Sequence, residues 1–522
     1  MVGTMVSAVI AMSLLIGCGG GGPAEHAALP AGSTEMGDLV LISIDTLRAD
    51  HLSSYGYERE TSPFLDARAA EGVRFTDARS PSPWTLPAHT TMLTGLLFPK
   101  HLVVEDDARY GGDSPFLGRA LAGNGFQTGG FVSTLYVSSR FGFDKGFEYF
   151  EDFDIHDSKK NLSGEVDAEH VVDRALEWAR STDPGRPIFL FLHLYDVHYG
   201  YDPPAPYDTL FDRANERTDL KYRKYAYYKT HPVDDAQMAH QVAQYDEEIR
   251  YVDAQLERLH EAFERAGRKS TWLVTSDHGE EFNERGSWGH AHTLYNEQLH
   301  IPLLAWGDRI ASPRVITQRV GTEDIAPTIA RWGGTNLGDV DGIDLRPVLV
   351  GGRTPARSHV AETSRFSSHR LSWLEGDWRL EWDVSAKTAE LFNVAEDPKE
   401  TTDLAAEEPE KVAALKRNLL TELGTPWEAR ESADLLTKGL FFQEGADSGR
   451  SLSVEPGDRF GVSPVDAAVR LKGGGKQARW RAAGGKRPDK AAPVTLMAET
   501  QAGAVQLSED ERKRLEALGY VE

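Results

Sequence analysis

Four short apolar runs, LVLISI (39–44), PIFLFLHLY (187–195), STWLVTS (270–276) and IPLLAW (301–306), limit what this chain can fold into more than any other feature. Each has the length of a strand and none alternates strictly between polar and apolar residues. A strand that is apolar on both faces has to be covered on both, which predicts a mainly parallel sheet between layers of helices. The intervening segments supply those helices. AEHVVDRALEWAR (168–180) and YDEEIRYVDAQLERLHEAFERAG (245–267) carry apolar residues at helical spacing, and the second ends on a glycine suited to a C-cap. The expected fold class is therefore α/β. In such sheets ligands bind beyond the carboxyl ends of the strands, where Asp45, the stretch from His193 to His198, and Asp277-His278 fall.

The ends of the chain differ from this middle. Residues 5–18, MVSAVIAMSLLIGC, form an apolar run too short to span a bilayer, although no Lys or Arg precedes Arg48. Its ending, Leu15-Ile16-Gly17-Cys18, resembles the lipobox of bacterial lipoproteins, in which the cysteine becomes the lipid-bearing first residue. That resemblance implies a signal over 1–18, a flexible tether over 19–36 and a lipid-anchored protein of the cell envelope, periplasmic or surface-facing. Cys18 is the single cysteine, so no intrachain disulfide forms and no cysteine cluster holds a metal. The catalytic α/β domain is expected over 37–350. Short strands and a helix over 351–435 predict a smaller α+β subdomain, and the Gly/Lys/Ala-rich stretch 436–505 shows no period and reads as an appended segment. LSEDERKRLEALGYVE (507–522) reads as a terminal helix within 506–522.

Lys and Arg total 57 against 81 Asp and Glu, a formal charge of -24, which excludes a nucleic-acid footprint. The chemistry is carried by a few residues. Asp45 follows a buried strand, and Asp277-His278 in VTSDHGEE places a hard and a borderline metal ligand together at another strand end. In SPWTLPAHTTMLTG (82–95), Thr85 stands as a presented hydroxyl. Asp45, Asp277 and His278 with the Thr85 oxygen make a four-coordinate site for a divalent metal, which lowers the hydroxyl pKa and makes it a nucleophile.

The runs IDTLRADHLSSYGYERETSPFLDARAAEGVRF, TLPAHTTMLTG, FLHLYDVHYGYDPP, SDHGEEF, GHAHTLYNE and ELFNVAEDPKETTDLA, in this order, resemble the sulfatase branch of the alkaline-phosphatase superfamily over residues 38–435. The resemblance implies a central, mostly parallel sheet with a smaller antiparallel sheet on the C-terminal side. It also implies that Asp45, Thr85, Asp277 and His278 surround the nucleophile's metal. One departure stands out. Where sulfatases carry Cys-x-Pro-x-Arg, whose cysteine becomes formylglycine, this chain has Thr85-Leu-Pro87-Ala-His89, so no formylglycine is expected. The threonine element is similar to that of nucleotide pyrophosphatase/phosphodiesterases, although their phosphate-contacting asparagine would fall at Ala88. Phosphoethanolamine and lipoteichoic-acid transferases also use a threonine with two phosphate-binding histidines, to which His198 and His290 are comparable in place.

His198, in HLYDVHYG, and His290 and His292, in WGHAHTLY, lie on loops after strand ends, where sulfatases place a sulfate-contacting lysine at the second position. His198 and His290 are candidate catalytic groups; with Asp196 and His292 they also offer a second metal or substrate site. Arg48, Asp50 and His89 read as support for the metal ligands. The expected cofactor is a divalent metal, zinc, manganese or calcium, one ion with a second left open. The expected activity is hydrolysis of phosphate or phosphonate esters through Thr85. The alternatives are a sulfuric ester hydrolase, a phosphoryl head-group transferase and an inactive protein that binds anionic glycans. The substrate is a small-molecule, glycan or lipid ester, whose pocket falls to loops such as 100–165 and 200–240.

Overall fold

The computed structural model describes residues 28–32 and 35–423, apart from 102, 112–114, 154–165, 213–230, 232, 367–368 and 385, together with backbone strands between 426 and 504. Cys18 and the helix expected at 506–522 lie outside the described residues.

The central sheet has nine strands: β1 (Asp38–Ile44), β2 (Val73–Arg79), β3 (Gln127–Val132), β4 (Tyr149–Glu151), β5 (Ile188–Leu194), β6 (Ser270–Ser276), β7 (His300–Gly307), β8 (Arg314–Ile316) and β9 (Val320–Gly321). Their order is β8-β2-β7-β6-β1-β5-β3-β4, with β9 also on β2. From β6 across to β4 every pairing is parallel. β7, the run IPLLAW, pairs antiparallel with both β6 and β2, the exception in the mainly parallel sheet expected. An apolar run records that both faces are covered, not which way the strand points.

Helices cover both faces. On β1, Leu39 and Leu41 join one core cluster, with α2 (Thr85–Thr94) and α5 (Ile325–Trp332). Val40, Ile42 and Ile44 join the other, with α1 (Pro63–Glu71), α3 (Ala168–Ser181) and α4 (Asp235–Arg265). All seven β1 residues are buried, and each aliphatic side chain so enclosed contributes about 1.5–3 kcal/mol. α4 starts ten residues before the expected position, behind a capping box in which the Asp234 carboxylate accepts the Gln237 amide at 2.8 Å.

Four antiparallel strands, His359–Thr363, Arg370–Glu375, Trp378–Asp383 and Thr388–Asn393, form the C-terminal sheet in sequence order. α6 (Pro409–Leu423) packs on it through Leu415, Leu419 and Leu423. Buried Arg379 fastens this sheet to the main domain, donating to the Leu294 carbonyl at 2.5 Å and to Asn296 Oδ1 at 3.0 Å. Beyond α6 the stretch read as an appended segment without a period contributes to a further six-stranded antiparallel sheet, and the expected boundary at 435/436 falls inside its strand Ala433–Gln443.

Candidate active site

Parallel pairing aligns the strand ends. Ile44 of β1 sits opposite Leu194 of β5 and Ser276 of β6, so Asp45 and Asp277 emerge side by side from neighbouring strands. Thr46, at φ 54°, turns the chain sharply after Asp45, and its amide donates to Asp277 Oδ1 at 3.3 Å. Thr85 is the first residue of α2, which packs over the same end of the sheet. Asp45, Thr85, Asp277 and His278 are all fully buried.

These four converge. His278 Nε2 lies 3.4 Å from Thr85 Oγ1, 3.6 Å from Asp45 Oδ1 and 3.3 Å from Asp277 Oδ2. Metal–ligand legs of about 2.0–2.2 Å in a tetrahedron give edges of about 3.3–3.6 Å. The His278 Nδ1–H donates to the Gly279 carbonyl at 2.9 Å, which leaves the Nε2 lone pair for the cluster. Asp45 Oδ1 and Asp277 Oδ2 are buried without a hydrogen-bond partner among the described residues. Burial pushes the Asp45 carboxyl up to about 7 and raises that of Asp277 as well. Two costly carboxylate oxygens, an imidazole lone pair and a hydroxyl facing one another fit a divalent cation.

Two histidines back this cluster. His193 Nε2 stands 3.2 Å from Asp45 Oδ2. His89 Nδ1 donates to the Thr85 carbonyl at 2.9 Å and lies 3.4 Å from Asp277 Oδ2, while its Nε2 accepts from the Ser43 hydroxyl at 2.9 Å. His89, His193 and Asp277 also converge within 4.8 Å. Both His89 nitrogens are engaged, Nδ1–H by the Thr85 carbonyl and Nε2 by the Ser43 hydroxyl, an arrangement that leaves neither lone pair turned to a cation. Burial pushes the His89 imidazole down to about 3 and that of His193 to about 4, so both are neutral.

The remaining candidates separate. The His290 ring lies 4.5 Å from that of His278, itself 3.4 Å from Thr85 Oγ1 through Nε2, and 4.9 Å from that of His198. The imidazoles of His198 and His290 are pushed well below the usual range by burial. His198 Nδ1–H donates to the Tyr199 carbonyl at 3.1 Å, with the Tyr195 hydroxyl 3.3 Å from its Nε2. His292 belongs elsewhere: its Nε2 meets Glu281 Oε2 at 2.7 Å, and Glu281 Oε1 accepts the amides of Arg285 and Ser287 within the following hairpin. Asp196 is likewise not brought into the cluster. Its Oδ1 accepts the Ala168 amide at 2.8 Å at the start of α3. The second metal or substrate site left open for Asp196, His198, His290 and His292 is therefore not assembled as a set of four. Arg48 forks onto Asp50 at 2.9 and 2.7 Å and reaches Glu284 at 2.6 Å and the Glu280 carbonyl at 2.9 Å. The pair thus braces the loop that carries Asp277 and His278 without touching the cluster.

Sequence reasoning missed Glu280 and gave His193 only a place at a strand end. Glu280 is fully buried and 2.8 Å from His290 Nδ1. The available signal was a matched spacing: consecutive glutamates in SDHGEE and the two histidines of HAH meet one to one, Glu280 with His290 and Glu281 with His292.

The family model Sulfatase matches residues 38–335, more than half the chain and the part that carries every residue of the cluster. The chain belongs to the sulfatase family. Among its relatives, an arylsulfatase of Clostridium perfringens is 22% identical over 77% of this chain and 97% of its own length. Mouse arylsulfatase K is 23% identical over 74% of this chain and 80% of its own. In three dimensions the chain is similar to a phosphonate monoester hydrolase of Agrobacterium radiobacter, with a TM-score of 0.62 and 18% identity over 74% of this chain and 95% of that one. This sulfatase-family protein is a hydrolase of sulfate or phosphate esters, in a family whose members depend on a divalent metal.

Proposed function

We propose that this sulfatase-family hydrolase cleaves phosphate or phosphonate esters through Thr85. The observation that carries the reading is a threonine, with one hydroxyl, 3.4 Å from His278 Nε2 where the family's cysteine-derived aldehyde hydrate would stand. An aldehyde hydrate expels sulfate by re-forming its carbonyl with a second hydroxyl. Thr85 has no such oxygen, so its ester must be opened by attack at the central atom, a route open to a phosphorylated threonine.

Asp45, Asp277, His278 and Thr85 would hold the metal, which when bound supplies Lewis-acid stabilisation of the hydroxyl oxygen and of the charge on the transferred group. The donor set of two carboxylates, a hydroxyl and an imidazole favours zinc or manganese over calcium, which prefers oxygen ligands only. The rest falls to the chain. Thr85 Oγ bonds to phosphorus as the P–O bond to the leaving group breaks, the hydroxyl proton passes to solvent or a neighbouring base, and the leaving oxygen takes up a proton. Water then attacks phosphorus, releasing phosphate or phosphonate and restoring the Thr85 hydroxyl. His89 holds the Thr85 carbonyl, and with it the first turn of α2. Thr85, as that helix's first residue, keeps its own amide among those without an intrahelical acceptor, which suits an anion at this end.

The purified chain, loaded separately with zinc, manganese and calcium, is to be assayed on aryl phosphate mono- and diesters, an aryl phosphonate and an aryl sulfate. Phosphorus-ester turnover that falls by at least about 10³-fold in Thr85→Ala, with metal still bound, is the expected result. Turnover of aryl sulfate alone would overturn it. That second reading, a sulfuric ester hydrolase, is favoured by the arylsulfatase relatives. We also propose that Cys18 carries a lipid that anchors the protein in the bacterial envelope; lipid labelling lost in Cys18→Ser is the expected outcome, and unchanged labelling or none in either protein would sink it.

A further inference from the structure

Glu280 sits two residues past His278, is fully buried, and takes no part in the proposed metal site. Its Oε1 lies 2.8 Å from His290 Nδ1 and its Oε2 3.3 Å from the Tyr201 hydroxyl. Its backbone carbonyl accepts from Arg48 Nη1 at 2.9 Å. Gly279, just before it, admits no side chain, because a Cβ there would lie 2.1 Å from the Glu297 carbonyl oxygen. The carboxyl is thus held at its tip, at its backbone and by the packing of the preceding residue. The His290 ring is confined as well, 4.5 Å from the His278 ring, 4.9 Å from that of His198 and 5.5 Å from that of Tyr199. A ring enclosed on these sides and fixed at Nδ1 has one orientation, with the opposite Nε2 edge turned away from Glu280.

We propose that Glu280, braced by Tyr201 and Arg48, is a positioning residue for His290 and sets the imidazole edge that meets the anionic group transferred to Thr85. The inference rests on the Thr85 reading and deepens it. Glu281 and His292 provide an internal contrast. They make the same kind of contact at 2.7 Å, but Glu281 serves the hairpin amides, so that pair holds the loop together and leaves the anion alone.

The test uses zinc-loaded full-length protein with ¹⁵N-labelled histidine, titrated calorimetrically with inorganic phosphate. Glu280→Ala is expected to weaken phosphate binding about tenfold or more, in line with the loss of an outer partner of a site residue, and to move the His290 ring-nitrogen resonances while zinc content stays at the wild-type level. Glu280→Gln, whose amide oxygen still accepts from Nδ1–H, is expected to recover most of the affinity. Glu281→Ala is expected to lower Tm without changing phosphate affinity. In the double variant Glu280→Gln/His290→Asn, phosphate binding is expected to be no weaker than in His290→Asn alone. Wild-type phosphate affinity and unmoved His290 resonances in Glu280→Ala would overturn the inference, as would a Gln variant no better than Ala. Failure of the Thr85 reading looks different: zinc and phosphate bind, yet no phosphorus ester is turned over.

Discussion

At the residue scale, several imidazoles in this protein are valuable because they are neutral. His101 is the simplest. It is fully buried on the turn after α2, its Nδ1 accepts the Val103 amide at 2.9 Å, and its Nε2–H meets the Thr91 hydroxyl at 3.1 Å. Burial alone pushes it from 6.5 down to about 3. The sign follows from linkage: the unfolded chain binds a proton near 6.5 and the folded chain does not until about 3, so the stability contribution is present above 6.5 and is lost as pH falls through that window. His101→Asn is expected to reduce the wild-type loss of unfolding free energy between pH 6.5 and 5.5 by about 1 kcal/mol, since an unfolded imidazole goes from half to about nine-tenths protonated over that unit. Urea unfolding at the two pH values checks this, and equal losses in both proteins would refute it. His369, pushed down to about 4, and His359, pushed well below its ordinary value, add the same trend to both proteins and cancel in the comparison.

At the scale of an element, the segment from Asp277 to His292 decides the site. It leaves β6 with Asp277 and His278, the two proposed ligands, turns at Gly279, and runs through the paired strands Glu281–Phe282 and Trp288–Gly289 before presenting His290. Gly279→Ala would force a Cβ against the Glu297 carbonyl and displace His278 and Glu280 together. Zinc affinity is expected to fall about 10- to 100-fold, with circular dichroism unchanged, in a competition titration against a chelator; wild-type affinity would show that the loop can yield. The short strands also explain why His290 and His292 part. Residues two apart would share a face in a regular strand, but Ala291 at φ 74° breaks that regularity, and each histidine finds its own glutamate.

At the scale of the molecule, the proposed metal would join α2 to β1 and β6, and the fold carries at that junction buried carboxylate oxygens without a hydrogen bond among the described residues, which a cation would neutralise. Removing it leaves like charges facing each other, since the Asp45 carboxylate is itself among the causes that raise Asp277. Metal that binds only the folded state stabilises by about 2.7 kcal/mol at a hundredfold excess over Kd. Tm is therefore expected to fall on chelation and to recover with added zinc, and the recovery is expected to vanish in Asp277→Asn. A Tm indifferent to chelator and zinc would remove the metal from this account.

Much of this was legible in the amino-acid sequence because it depends on local pattern. Asp45 and Asp277 follow apolar strands directly, and the parallel sheet sets strand ends in one row, so their convergence could be expected before their distances were known. Thr85 was legible through its motif, and the α/β class through strands such as β1 that are apolar on both faces. Tertiary structure alone decided the rest. An apolar run carries no direction, so which strand of the mainly parallel sheet runs antiparallel, here β7, was not legible. Asp196, two residues from His198, went to the start of α3 because a side chain's partner depends on what packs beside it, not on its neighbours in the chain. Glu280 was invisible for the same reason: its role arises from a contact with a histidine ten residues away, which the turn at Gly279 and the hairpin bring within 2.8 Å.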